Sequence, residues 1–152
     1  MIFAVDFDGT IVSMDRRYDD VTSPLRFLPG ARAGLLALRR AGHHLLLWSA
    51  RASPALLDSP ELDPLVRAGV TSRGAWEKML AVNRARHRQM LEFVERELPG
   101  VFAAVDDGRG GKPVNVDVFL DDRAVRLGRG AGAFSWREVA RSWGEPAQRR
   151  SA

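Results

Sequence analysis

Short apolar runs alternate with longer amphipathic stretches along this chain, and the apolar runs end at polar side chains or turns. Runs of this length, bounded by turn-forming residues, are typical of buried strands. The predicted strands are residues 2–7, 45–48, 101–105 and 116–120. Apolar positions at helical spacing predict helices at residues 31–41, 76–98 and 135–143, the second with a break near Asn83. Gly42 and Pro99-Gly100 end the first two helices.

Strands that alternate with helices predict an α/β fold, namely a Rossmann-like three-layer α/β/α arrangement around a central parallel sheet. We expect one domain over residues 1–143 and a flexible tail over 144–152, because no linker divides the 152 residues. Right-handed crossovers bring the carboxyl ends of all strands to one edge, where ligands of such folds bind. Residues 11–24, irregular and polar, and 53–75, short helical turns and a loop, are the segments that could cover this edge.

Composition narrows the class of protein further. The chain has no cysteine, which excludes disulfides and thiolate metal sites. No apolar stretch approaches the ~20 residues of a membrane helix, and the N-terminus lacks a secretion signal, so we expect a cytoplasmic protein. The net charge of +4 is small beside 23 basic and 19 acidic residues, and it gives weak support for nucleic-acid binding. The sequence leaves the oligomeric state open.

Polar side chains follow the apolar runs at several places along the chain. Because parallel strands end at the same edge of a sheet, we expect these side chains to converge. A lysine in the loop before the fourth strand joins them. The candidate set comprises Asp6 and Asp8 after the first strand, Ser49 after the second, Lys112, and Asp121 and Asp122 after the fourth.

The order of these residues resembles the four motifs of the haloacid dehalogenase (HAD) superfamily of phosphohydrolases. The motifs are Asp6-Phe7-Asp8-Gly9-Thr10, Ser49, Lys112 and Asp121-Asp122. The stretches Leu-Trp-Ser-Ala-Arg at 47–51 and Phe-Leu-Asp-Asp-Arg at 119–123 are similar to those of small, capless members, and the resemblance covers residues 2–127. It implies a domain without a large cap, since only a loop and a helix separate Thr10 from Ser49.

The resemblance also implies a mechanism, a metal ion and a class of substrate. Asp6 would attack a phosphomonoester and form an aspartyl-phosphate, and Asp8 would protonate the leaving alkoxide and then deprotonate the hydrolytic water. The substrate would be a small phosphometabolite or a nucleotide. Mg²⁺ would be held by Asp6, the backbone carbonyl of Asp8 and Asp121, with Asp122 as a ligand or on a metal-bound water. The expected phosphoryl contacts are Gly9, Thr10, Ser49, Ala50, Arg51 and Lys112.

Plainer interpretations accompany these roles. Ser49 is also a good helix N-cap, Lys112 also fits a solvated loop, and Arg51 and Arg123 fit structural or solvated arginines better than substrate contacts. Two alternative functions stay open beside the small-molecule phosphatase. One is a phosphatase of polynucleotide ends, favoured by the excess of arginine and an open site, and the other is a non-catalytic phospholigand-binding module on the same fold.

Overall fold

The protein has an α/β fold built on an all-parallel sheet. The computed structural model describes residues 1–53, 57, 64–107, 113, 115–122 and 135–145. Within these residues the sheet has four strands in the order β3-β2-β1-β4, which confirms the predicted parallel sheet. The strands are β1 (Ile2–Val5), β2 (His44–Leu47), β3 (Ala104–Val105) and β4 (Val118–Leu120).

Strand β1 is central, and its residues Phe3, Ala4 and Val5 are all buried. Side chains alternate between the two faces of a strand, so this continuous burial explains the unbroken apolar run in the sequence. The strand ends earlier than the predicted residue 7. The reason is a turn, in which the carbonyl oxygen of Phe7 accepts hydrogen bonds from the backbone N–H groups of Ile11 and Val12, at 2.9 and 3.1 Å.

The described part of the chain includes the α-helices α1 (Ala31–Arg40), α2 (Pro64–Arg67), α3 (Arg73–Glu97) and α4 (Trp136–Trp143), and a 3₁₀ turn at Ala50–Ala52. The predicted break near Asn83 is wrong, because α3 runs unbroken through this residue. Helix α3 also begins three residues before the predicted start. The side chain of Ser72 accepts a hydrogen bond from the N–H of Ala75 at 3.1 Å and so caps the first turn.

Helix α4 packs against α1 and reaches the loop that follows β1. The Trp136 ring lies over Gly34 of α1, where a side chain would collide with it. The indole Nε1 of Trp136 donates a hydrogen bond of 2.6 Å to the carbonyl oxygen of Thr10. The last helix therefore fixes the loop that carries the first sequence motif. None of the helices in the described residues combines the length and apolarity needed to cross a bilayer.

Candidate active site

A cavity of about 400 Å³ opens at the carboxyl edge of the sheet, where β1, β2 and β4 end. Backbone pairing extends past the strands and fixes this edge. The N–H of Asp6 donates to the carbonyl oxygen of Leu120, and the N–H of Trp48 donates to that of Val5, at 2.9 and 3.0 Å. The predicted site residues that line the cavity are Asp6, Asp8, Ser49, Ala50, Arg51 and Asp121.

One side of the cavity is acidic. Asp6 follows β1, and Asp121 and Asp122 follow β4, which pairs with β1 in parallel register. One carboxylate oxygen from each of the three residues lies within 4.8 Å of the other two. We call these three residues the acidic triad. The sequence prediction that these carboxylates converge at one edge is therefore confirmed.

The surroundings of the Asp6 carboxyl group disfavour its charged form. Burial, together with the neighbouring carboxylates of Asp121, Asp8 and Asp122, raises the pKa of Asp6 to about 7, against a hydrogen bond from the backbone of Phe7. Like charges this close cost folding energy unless a cation or protons neutralise them. The triad therefore has the electrostatics of a site that gains stability from a bound cation.

The triad also fits Mg²⁺ by donor chemistry. Magnesium prefers oxygen ligands at about 2.0–2.1 Å, which places its ligand oxygens roughly 3–4 Å apart. The observed limit of 4.8 Å requires only a small approach of the three carboxylates. Asp6, Asp121 and Asp122 are the side chains that would hold the ion, and Asp8 contributes no side-chain oxygen to this cluster.

Gly9 brings the backbone close to the triad. Its φ of +76° lies in the left-handed region, which glycine adopts at little cost. A Cβ at this position would overlap Oδ2 of Asp122. The next residue, Thr10, is fully buried, and its hydroxyl accepts a hydrogen bond of 3.0 Å from the N–H of Asp122. Thr10 thus joins the loop after β1 to the end of β4, a structural role beside its predicted contact with substrate.

The opposite side of the cavity is built around Asp8. Arg51 donates two hydrogen bonds to this carboxylate, from Nε to Oδ2 at 2.7 Å and from Nη2 to Oδ1 at 2.5 Å. Arg86 adds a third bond, from Nη2 to Oδ2 at 3.1 Å. Burial by itself would raise the pKa of Asp8, but the hydrogen bond and charge of Arg51 and the charge of Arg86 lower it overall. We call Asp8, Arg51 and Arg86 the arginine clamp.

Arg51 is buried rather than solvated. Only 2% of its side chain is exposed, its Nη1 donates to the carbonyl oxygen of Arg86 at 2.9 Å, and its guanidinium lies 4.9 Å from the ring centre of Phe7. The structural interpretation of Arg51 thus has more support than a solvated one. Because its planar guanidinium makes a two-bond pair, lysine could not replace it with the same geometry.

Ser49 forms the N-cap that its plainer interpretation predicts. Its hydroxyl accepts a hydrogen bond of 3.3 Å from the N–H of Arg51 and caps the 3₁₀ turn Ala50–Ala52. The same residue lines the cavity and is 3% exposed. Ala50, which follows it, is exposed at the cavity wall. Lys112 and Arg123, by contrast, lie outside the described residues.

Five residues of the cavity wall were not among the predicted site residues, namely Met14, Tyr18, Trp48, Asn83 and Arg86. Asn83 and Arg86 lie on the buried face of α3, among Trp76, Leu80, Met90 and Phe93. A signal for them exists in the sequence, since two polar residues three apart interrupt an otherwise apolar helical stripe. Buried polar residues at such positions need partners, and here Arg86 finds one in Asp8 at the carboxyl edge of the sheet.

The segment at residues 11–24 forms part of the cavity wall through Met14 and Tyr18. The guanidinium of Arg86 lies 4.1 Å from the ring centre of Tyr18, and its Nη1 donates to the Tyr18 carbonyl oxygen at 3.0 Å. Farther from the cavity, Arg16 anchors the segment to α3 through Gln89, with a hydrogen bond of 2.8 Å. Of the two segments that could cover this edge, residues 11–24 therefore contribute to the cavity wall.

Comparison of the chain with protein-family models, with curated proteins and with solved structures gave no match. The geometry of the cavity therefore carries the functional argument.

Proposed function

We propose that this protein is a Mg²⁺-dependent phosphatase that hydrolyses phosphomonoesters through an aspartyl-phosphate on Asp6. The observation that carries the proposal is the convergence of Asp6, Asp121 and Asp122 within 4.8 Å at the carboxyl edge of a parallel sheet. The motif order, which resembles the HAD superfamily, agrees with this placement. We extend the proposal to the three-layer, capless arrangement of that superfamily.

Asp6 is the nucleophile in this proposal. It lies at the centre of the edge and lines the cavity. A bound magnesium ion would neutralise the triad and the charge of the phosphoryl group. Asp6 must be ionised to attack phosphorus, and its raised pKa of about 7 means that the metal-free carboxyl is only about half ionised at neutral pH. Ser49 and the nearby backbone amides would bind the phosphoryl oxygens, and Lys112 stays a predicted contact.

Asp8 is the general acid and base of the proposal. The lowered pKa keeps it a carboxylate, which is the form that removes a proton from the hydrolytic water. The acid step requires more, because Arg51 and Arg86 occupy both of its oxygens. The clamp must loosen before Asp8 can carry a proton to a leaving alkoxide. Leaving groups that depart as stable anions would need no such step.

The test is a phosphatase assay with para-nitrophenyl phosphate and a panel of phosphometabolites and nucleotides, with Mg²⁺ and with chelator. We expect turnover that needs the metal and that Asp6→Asn lowers by at least about 10³-fold. Asp19→Asn is the matched control, because this exposed carboxylate pairs only with the exposed Arg17 in the interactions described. It should keep full activity. Undiminished turnover in Asp6→Asn would exclude the covalent mechanism.

The same assay addresses the two alternative functions. A non-catalytic phospholigand-binding module would bind phosphorylated ligands with no turnover across the panel. A phosphatase of polynucleotide ends would prefer a 3′- or 5′-phosphorylated oligonucleotide to the corresponding mononucleotide, with strong dependence on salt. The acidic triad and Asp8 together favour catalysis, because a module that only binds phosphate has no use for four carboxylates at its site.

A further inference from the structure

We infer that Tyr18, Asn83 and Arg86 form a subsite for the leaving group, and that it selects phosphomonoesters that carry a second anionic group. This inference rests on the proposed function, because it assigns the acidic triad to the transferred phosphoryl group. The three residues line the same cavity as Asp6 and Asp8 but belong to helix α3 and to the segment at 11–24. They thus form a wall separate from the strand ends.

Asn83 supplies the first argument. Its Oδ1 accepts a hydrogen bond from the Tyr18 hydroxyl, which fixes the orientation of the amide. Asn83 is only 3% exposed, and its buried Nδ2 has no hydrogen-bond partner among the described residues. A buried donor without an acceptor costs stability. A polar atom that a fold leaves unsatisfied in a cavity wall is a natural donor to a ligand.

Charge supplies the second argument. Arg51 and Arg86 share the single carboxylate of Asp8, so the arginine clamp carries a net charge of +1. The clamp is therefore short of negative charge. An anionic group on the substrate would relieve this shortage.

The third argument concerns shape and exposure. Tyr18 and Met14 are each about half exposed, at 53% and 50%, and both line the cavity. Arg86 stacks on the Tyr18 ring and is held by the Tyr18 carbonyl oxygen, so its guanidinium is fixed before a ligand arrives. A fixed cation beside a donor amide recognises a carboxylate or a phosphate better than a neutral alcohol.

The experiment measures binding with ligands that cannot be hydrolysed. Benzylphosphonate has a methylene in place of the ester oxygen, and its 3- and 4-carboxy derivatives add one negative charge at two distances. The matching carboxamides add a hydrogen-bond acceptor without charge. Affinities are measured by calorimetry with Mg²⁺ present. We expect the better carboxylate to bind at least about 10-fold more tightly than benzylphosphonate, with its carboxamide in between.

Variants assign the preference to the subsite. Asn83→Asp replaces the donor with a negative charge, so it should abolish or reverse the preference for the carboxylate. Asn115→Asp is the control, because Asn115 is the only other asparagine of the chain and is exposed. It should leave the preference unchanged. Tyr18→Phe, at a half-exposed ring, is a milder change that removes the bond fixing the amide, and it should lower the preference by about 2- to 5-fold.

The outcomes separate the two proposals. Equal affinity for all the phosphonates, or no binding, overturns the inference, and a preference that survives Asn83→Asp places the charge recognition elsewhere and also overturns it. Turnover of phosphomonoesters with no preference leaves the proposed function standing and removes only the subsite. A preference that Asn83→Asp abolishes, in a protein without turnover, supports the subsite and contradicts the proposed function.

Discussion

The two walls of the cavity differ in charge: one gathers carboxylates, and the other surrounds a carboxylate with guanidinium groups. The acidic triad brings three carboxylates within 4.8 Å of one another, and the pKa of Asp6 is raised to about 7. The arginine clamp places two guanidiniums on one carboxylate, and the pKa of Asp8 is lowered. Asp6 and Asp8 are two residues apart in sequence. Their different surroundings therefore shift the pKa values of two chemically identical side chains in opposite directions.

We expect the largest effect from a substitution in the acidic triad. Asp121→Asn removes one charge from the triad without changing its volume, and we expect Mg²⁺ affinity to fall by at least about 10-fold and turnover by about 10³-fold. Calorimetric titration with Mg²⁺ and steady-state kinetics measure the two effects. Asp117→Asn is unsuitable as a control because Asp117 accepts a hydrogen bond from the Ile2 N–H, so Asp19→Asn serves again. Equal Mg²⁺ affinity in both variants would contradict the triad as the metal site.

The next prediction breaks the arginine clamp. Arg51→Met leaves a partly buried carboxylate with one of its two cations, and we expect the free energy of unfolding to fall by about 3–5 kcal/mol. Denaturation in urea measures it. Arg17→Met is the matched control, because the Arg17–Asp19 pair is exposed at both side chains and should contribute little to stability. Similar losses in the two variants would show that the clamp is no stronger than a surface pair.

A third prediction concerns how stability depends on pH through Asp6 of the acidic triad. The raised pKa of Asp6 means that the metal-free folded state loses stability as pH rises from about 4 towards 7, because the unfolded chain ionises this carboxyl first. Asp6→Asn should therefore match the wild type in melting temperature near pH 4 and exceed it by several degrees at pH 8. Thermal unfolding in chelator measures this. A gap that is constant with pH would contradict the raised pKa.

The smallest expected effect sharpens the geometry near the triad. Gly9→Ala adds a Cβ in the left-handed region and against Oδ2 of Asp122, whereas Gly42→Ala adds one in the same region with no atom within 4 Å. We expect about 1 kcal/mol of destabilisation from the backbone at both sites. Only Gly9→Ala should also weaken Mg²⁺ binding. Equal Mg²⁺ affinity in the two variants would show that crowding Asp122 from position 9 does not affect the metal site.

The acidic wall was predictable from sequence, but the contribution of helix α3 to the opposite wall was not, for a physical reason. The acids at 6 and 121 directly follow apolar strands, and parallel strands must end at one edge, so local pattern alone fixes their meeting. Arg86 and Asn83 reach the same cavity from the middle of α3. Their position depends on how a 25-residue helix lies across the sheet edge, which periodicity does not specify. The same limit produced the wrong break at Asn83, where a polar residue interrupts an apolar stripe.

The most direct test of the central claim is to identify the residue that becomes phosphorylated. The protein is mixed with substrate and Mg²⁺, quenched in acid during turnover and reduced with borohydride, which converts an aspartyl-phosphate to homoserine, and the peptides are then sequenced by mass spectrometry. We expect homoserine at position 6 in the wild type and in Asp19→Asn. Homoserine at another aspartate, or none while phosphate is released at full rate, would contradict Asp6 as the nucleophile.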